Sequence, residues 1–284
     1  MKQLRGEMMG KLFIVGTPIG NLGDISQRAL ETLENVDFIC AEDTRVTGKL
    51  LSHFGIKKPL VSCHEHNAEK VGRQIVERII AGENAAVTTD AGMPCISDPG
   101  EELVRICAEC GVETVVVPGP TAMASALAVS ALSTRRFQFE GFLPVEKKER
   151  AERLAEVKNS TATLVFYEAP HKLKRTIEDL LNYLGDRRIS ICRELTKIHE
   201  ETVRTTLSEA RKLYSDAEPK GEFVLVIEGA SAVVESETLE QACEQIRILT
   251  EKGMRTADAC KQIAKVTGFS KAELYAEFIN KNTP

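Results

Sequence analysis

From Lys11 to Gly119 short apolar runs alternate with helical patterns: KLFIV, a helix from Ile25, VDFICA, a helix from Thr44, PLVSC, a helix from Ala68, AAVTT, a helix from Glu101, and VETVVV. Runs this uniformly apolar, each followed by a helix, are strands buried on both faces, so the segment is expected to form a parallel sheet with helices on either side. Two strands run into loops dense in Gly, Pro, Ser and Asp. GTPIGNLGD follows KLFIV over residues 16–24, and DAGMPCISDPG follows AAVTT over residues 90–100. In an open α/β sheet such loops stand at the carboxyl ends of the strands, where small ligands bind. For either loop alone, plain turn punctuation is the competing reading. Asp24 with Gln27 three residues on has capping-box spacing, which is expected to end the first loop at a helix N-terminus.

The pattern changes twice along the chain. From about Ser133 to Gly229 the strands FQFEGF, ATLVFYEA, RISICREL, ETVRTTL and EFVLVIEG are interleaved with helices near 147–158, 173–184 and 207–215, and Gly185 marks a helix stop. This is a second α/β layer with a mixed sheet. After Gly229 the strands cease. Thr238 with Gln241 and Ser270 with Glu273 are further capping boxes, and helices over 256–266 and 271–279 are joined by a short turn holding Gly268, which is helix-turn-helix spacing. The second of these helices, KAELYAEFINK, offers few groups suited to base edges, so docking, RNA contact or a plain helical cap fits it better than DNA reading. The expected division is 1–10 as a leader or appended tail, 11–120 as an N-terminal α/β domain, 121–230 as a second α/β domain, and 236–284 as a helical domain.

Composition narrows the classes. The chain has 284 residues and a net charge of −5, with no apolar run near the roughly 20 residues that span a bilayer. The N-terminus MKQLRGEMMGK lacks the apolar core of a signal peptide, so a cytoplasmic location without a membrane role is expected. The eight cysteines mostly sit inside apolar patterns, as buried thiols rather than disulfides. Cys107 and Cys110 form one CxxC with no second pair, and the HxH of His64 and His66 has no third ligand in view, so no metal is expected. The acidic excess lies in residues 1–120, with 12 basic and 17 acidic side chains, whereas 121–230 hold 18 and 17. Basic clusters there, at Arg135 and Arg136, Lys147, Lys148, Arg150 and Arg153, Lys172, Lys174 and Arg175, and Arg187 and Arg188, read either as solvated helix faces or as phosphate contacts.

The first loop fits a dinucleotide site poorly. Gly16, Gly20 and Gly23 depart from GxGxxG, although Glu42 and Asp43 end the second strand where a ribose partner would stand. Pro18 and Pro94 stiffen loops where a pyrophosphate needs free amides. A ligand with an adenosine, a short polar tail and no phosphates remains, which suits S-adenosyl-L-methionine.

Further along, AEDTR, VPGPTA, FEGFLP, FYEAPH, RELTKIHEE and GEFVLVIEG stand in order with the two loops. Together these segments, from Lys11 to the end of the chain, resemble the family of small-subunit ribosomal RNA methyltransferases I, 2′-O-ribose methyltransferases within the tetrapyrrole methylase superfamily. The resemblance implies two α/β domains of tetrapyrrole-methylase type with the cofactor cleft between them, plus the small C-terminal helical domain. It also implies a homodimer that acts on a cytidine in the decoding region of 16S ribosomal RNA, either naked or in the assembled small subunit. Carried over residue by residue, it implies cofactor contacts at Pro18, at Asp90, Gly92, Met93, Ile96, Ser97 and Asp98, at Thr121 and Ala122, at Tyr167, and through the backbone at Leu195 and Val226. Gly92-Met93 stands where the superfamily more commonly has Gly-Asp. For proton transfer the candidates are Glu168, Glu194 and Lys197, with Glu42 or Asp43 behind them. Each has a bland reading: Glu42 with Arg45, and Glu194 with Lys197, could simply pair. A small-molecule methylase of tetrapyrrole type and a non-catalytic RNA-binding protein are the alternatives; the basic clusters and the added helical domain speak against the first.

Overall fold

The computed structural model describes residues 9–64, 67–216, 218–231, 239–265, 267 and 269–282. They fall into two compact units divided after Gly229. In the first, β1 (Lys11–Val15), β2 (Phe38–Ala41), β3 (Leu60–Ser62), β4 (Ala85–Thr88) and β5 (Glu113–Val117) form a wholly parallel sheet in the order β3-β2-β4-β1-β5. Strand alternation sends neighbouring residues to opposite faces. Phe38, Cys40, Ala85 and Val87 pack with α3 (Ala68–Ile80) and α4 (Glu101–Cys110), while Ile39 and Ala86 pack with α1 (Gln27–Asn35) and α2 (Thr44–His53). Both faces are covered, which is why these strands read as unbroken apolar runs.

The helix α5 (Ala122–Val129) leads into a second, mixed sheet of β6 (Phe137–Phe142), β7 (Thr163–Glu168), β8 (Arg188–Arg193), β9 (Glu201–Thr206) and β10 (Phe223–Ile227), in the order β6-β7-β10-β8-β9. Only β6 and β7 run parallel; β10 is antiparallel to both of its neighbours. One face packs on α6 (Lys147–Val157), α7 (Leu173–Leu184) and α8 (Leu207–Tyr214). The other carries Val165, Cys192, Val224 and Val226 against Ala126 and Leu127 of α5 and Ile19 of the first glycine loop. That contact brings the first loop onto the second sheet.

The second unit has its own small core of Ala242 and Ile246 from α9 (Leu239–Glu251), Ala259, Cys260 and Ile263 from α10 (Thr256–Ile263), and Leu274 from α11 (Lys271–Asn282). Ser270 and Glu273 form the expected reciprocal cap on α11, with Ser270 N–H donating to the Glu273 carboxylate at 2.8 Å and Glu273 N–H to Ser270 Oγ at 3.2 Å. Thr238 and Gly268 lie outside the described residues, as does His66. No described helix is long and apolar enough to cross a membrane.

Three expectations need correction. The cap of α1 is Ser26, whose hydroxyl accepts from Ala29 N–H at 3.1 Å; Asp24 instead ends a single 3₁₀ turn, because Ile25 and Ser26 are extended and break the helix there. Arg150 belongs to no exposed basic cluster. It is buried, with Nε donating to Asp179 Oδ2 and Nη2 to Thr176 Oγ1, both at 2.7 Å. The α6 periodicity turns Arg150 inward beside Leu154, whereas Lys147 and Lys148 face solvent. Finally, Arg45 pairs with Asp43 at 2.5 Å and not with Glu42.

Candidate functional site

The two glycine loops are stitched together where they leave adjacent strands. Thr17 N–H donates to Gly92 O at 2.9 Å and Gly92 N–H to Thr17 O at 3.2 Å. Gly92 has φ +94°, a backbone conformation that residues with side chains rarely adopt, so only glycine holds this crossing comfortably. Strain gathers nearby: Cys95 and Ser97 in the second loop, and Glu194 and Thr196 after β8, all have left-handed backbones. Non-glycine residues in that region carry a cost that surrounding structure must hold in place, and they concentrate at binding sites.

Between these loops and the second sheet lies a cavity of about 570 Å³, inside the range of small-molecule sites. Its floor is the second loop, with Asp90, Gly92, Met93, Ile96, Ser97 and Asp98 all lining it. Thr121 and Ala122 enter from the start of α5, where the Thr121 hydroxyl caps the helix by accepting from Ala124 N–H at 3.2 Å. Tyr167, Glu168 and Leu195 enter from the carboxyl ends of β7 and β8. Thus ten of the expected cofactor contacts, and one of the three acid–base candidates, share one cavity.

The remaining candidates fall elsewhere. Pro18 lines an adjoining cavity of about 480 Å³ that shares Ile19, Asp90, Ala91 and Glu222 with the first. Val226 is fully buried in the core, two residues farther along β10 on the same face; Val224, nearer the strand start, is the one that lines the cavity. Lys197 lines the adjoining cavity, and Glu194 lines neither. These two pair at 2.9 Å; Glu194 Oε1 also accepts from Glu222 N–H at 2.9 Å, and Lys197 Nζ reaches Glu222 Oε2 at 3.0 Å. The Lys197 ammonium bonded to Glu194 holds that carboxyl below its usual range. Burial works against the Lys197 charge, but its bonds to Glu194 and Glu222 outweigh it and raise the lysine. Their position is that of a clamp on the turn before β10.

Glu168 is buried and oriented. Its Oε1 accepts from Ala169 N–H at 2.9 Å and its Oε2 from the hydroxyl of Thr176, which in turn accepts from Arg150. The Tyr167 hydroxyl accepts from Met123 N–H at 3.1 Å, tying β7 to α5; burial raises its pKa, against the bond from Met123. On the opposite wall Thr89 Oγ1 lies 2.7 Å from Glu42 Oε2 and 2.9 Å from Asp98 Oδ1. Burial pushes Asp98 up to about 6, against the hydrogen bond from Thr89 and with help from the charges of Glu42 and Asp90. Asp90 is raised as well, first by burial and then by Glu42.

The lining therefore carries the carboxyls of Glu42, Asp90, Asp98, Glu168 and Glu222, one imidazole at His171, and no lysine or arginine. Such a site attracts a cationic ligand and repels phosphates. Apolar walls from Ile19, Ile96, Leu195 and Val224 offer flat surface to a ring. Among the lining residues not anticipated from the sequence are Phe142, His171, Cys192 and Glu222, contributed by the second sheet and its loops.

Comparison with known proteins agrees with this geometry. Residues 11–211 match the model of the Tetrapyrrole (Corrin/Porphyrin) Methylases. Over 270 residues the chain is 47% identical to a protein of Halalkalibacterium halodurans named ribosomal RNA small subunit methyltransferase I, covering 94% of this chain and 93% of that one. A protein of the same name from Thermotoga maritima is 48% identical over 221 residues, 78% of this chain and 99% of that one. Among solved structures, uroporphyrin III C-methyl transferase from Thermus thermophilus superposes with a TM-score of 0.55 at 19% identity, covering 77% of this chain and 97% of that one, a likeness of fold.

Proposed function

The chain belongs to the tetrapyrrole methylases, within the group named ribosomal RNA small subunit methyltransferase I, and from that membership we propose that it uses S-adenosyl-L-methionine to methylate the ribose 2′-oxygen of a cytidine in the decoding region of small-subunit ribosomal RNA. The single observation that carries the cofactor assignment is the charge of the cavity: carboxyl groups on opposite walls, apolar surface between them and no basic side chain except His171. These residues fit a ligand with a positive sulfonium, an ammonium and an adenosine. The group supplies an electrophilic methyl when bound.

The chain's own residues then do three things. Asp90 and Asp98, with Glu42 behind them, hold positive charge at the second loop. Tyr167, Leu195 and Val224 form the wall for the adenine, and the start of α5 at Thr121 and Ala122 closes one end. Glu168, fixed by Ala169 and Thr176, orients the acceptor hydroxyl by accepting its proton in a hydrogen bond. Alignment of this kind recovers roughly 7 to 11 kcal/mol of a bimolecular barrier, and a positioned base adds a factor of about 10² to 10⁴. Glu194 and Lys197 act through Glu222 and the turn they clamp, as positioning residues. Pro18 shapes the adjoining compartment, and the chain works in the cytoplasm as a homodimer.

Mass mapping of ribose methylation in small-subunit RNA from a deletion strain tests the reading. The cytidine is expected to lose its 2′-O-methyl group and to regain it when purified protein and S-adenosyl-L-methionine are added to the mutant's subunits. A fully methylated cytidine in the deletion strain would overturn the assignment.

A further inference from the structure

One residue at the rim of the cavity is placed by an irregularity in its strand. β6 pairs with β7 in parallel, Phe139 opposite Val165 and then Gly141 opposite Phe166, so Glu140 is an extra residue and the strand bulges. In a regular strand Phe139 and Phe142, three apart, would face opposite ways. The bulge, with Gly141 at φ +63°, brings both to one face, and bulges beside active sites commonly re-aim a side chain in this manner. Both rings now meet Tyr167 edge-on, with centroids 4.9 Å away for Phe139 and 5.6 Å for Phe142. Tyr167 is itself fixed through its hydroxyl to Met123 N–H. Gly141 has a φ that residues with side chains rarely adopt, and a Cβ there would stand 2.9 Å from Ser97 Oγ in the second loop, which would have to shift. Phe139 is partly buried, but Phe142 is 56% exposed and lines the cavity, with Ile96 (46% exposed) also at the cavity and Val145 (69% exposed) three residues on. A large aromatic ring braced on one side and open on the other offers its free face to a ligand. Lys147 and Lys148 are exposed in the same stretch of chain. Ring face plus nearby cations is the chemistry of a nucleotide, and sequence-selective RNA sites take unstacked bases onto aromatic side chains.

We propose that Phe142 is the platform on which the unpaired base of the acceptor nucleotide stacks, presenting its ribose to the cavity. The proposal rests on the reading of the site as an RNA ribose methyltransferase and names a residue that selects the substrate. Leu195 and Val224, assigned to the donor, are buried, whereas Phe142 is exposed at the rim of the same cavity, so Phe142 contributes chiefly to the affinity for RNA. Loss of one base–aromatic stack corresponds to roughly a 5- to 150-fold weakening.

Steady-state methylation of unmethylated small subunits by the full chain tests this. Phe142→Ala is expected to raise KM for the subunits at least about 5-fold, with the dissociation constant for S-adenosyl-L-methionine within twofold of wild type. Phe142→Leu should fail to restore KM, and Phe142→Tyr should restore it. Because the chain contains no tryptophan, Phe142→Trp adds a single indole that can be excited apart from the tyrosines, and its fluorescence should be quenched by an RNA fragment spanning the acceptor and not by a duplex of the same length. Unchanged KM in Phe142→Ala, rescue by leucine, or weakened donor binding in place of weakened RNA binding would each overturn the platform while leaving the methyltransferase reading intact. If wild type transfers no methyl to the subunits, the reading itself falls; quenching of Phe142→Trp by single-stranded RNA would then still support the base platform, and no quenching would end it.

Discussion

Thr89 has one hydroxyl proton and two carboxyl oxygens within reach, from Glu42 and Asp98. It can donate to only one of them, so the other contact is a good hydrogen bond only when that carboxyl carries a proton and donates back. Asp98, pushed up to about 6 by burial, is the natural holder. The sign of the resulting pH dependence follows. Between about 4 and 6 the folded chain keeps a proton that the unfolded chain releases, so this group's contribution to stability is lost as pH rises through that window. Asp98→Asn should therefore melt with wild type near pH 4 and above it at pH 7.5, in a series of thermal melts. Affinity for a cationic donor should move the other way. Calorimetric titration of wild type with S-adenosyl-L-methionine should weaken as pH falls through about 6, and the Asp98→Asn variant should bind weakly and without that pH dependence.

At the scale of an element, α6 separates two kinds of basic residue that look alike in the sequence. Arg150 ties α6 to Asp179 and Thr176 of α7 and, through Thr176, to Glu168. Removing one partner of such a buried pair typically costs about 3 to 5 kcal/mol, so Arg150→Met should lower the urea midpoint accordingly and lower activity as well. Lys147→Glu with Lys148→Glu should change stability by less than about 0.5 kcal/mol yet weaken RNA binding most at low salt; affinity unchanged at 50 mM salt would make them ordinary surface. On α11, Ser270→Ala removes one half of the capping box and should cost about 1 kcal/mol, seen as faster hydrogen exchange in the first turn of that helix.

The strands and helices of the first sheet were legible because parallel strands announce themselves as apolar runs and because glycine, proline and aspartate mark the loops at their carboxyl ends. The individual residues of the second loop were legible through the family resemblance, which composition alone does not supply. What escaped was part of the second sheet's contribution, beyond Tyr167, Glu168 and Leu195. Glu222 and Val224 reach the cavity only because β10 runs antiparallel and begins there, and strand direction leaves no trace in EFVLVIEG. Phe142 escaped because its aim depends on a bulge, for which Gly141 in FEGFLP was the one available sign. The inward turn of Arg150 escaped because a single charge among charged neighbours reads as surface until a buried partner is in view.

At the scale of the molecule, the chain up to Gly229 holds the cavity, both sheets and every lining residue, and the helical unit after it has a separate core. The relative from Thermotoga maritima, aligned over 221 residues that make up 99% of its length, has about the length of the first unit alone. A chain ending at Gly229 is therefore expected to fold cooperatively and to bind S-adenosyl-L-methionine within about twofold of the full chain, since no lining residue is lost; calorimetry on the truncated protein checks this. Failure to bind would mean that the helical unit supports the cavity.

The double hydrogen bond between Thr17 and Gly92 joins two loops that are 75 residues apart in the chain. Each amide is protected by the other loop's carbonyl, so neither can exchange with solvent unless both loops part. In deuterium exchange the two amides should behave as a single reporter, with one opening free energy and one response to ligand, although no digestion fragment of ordinary length contains both.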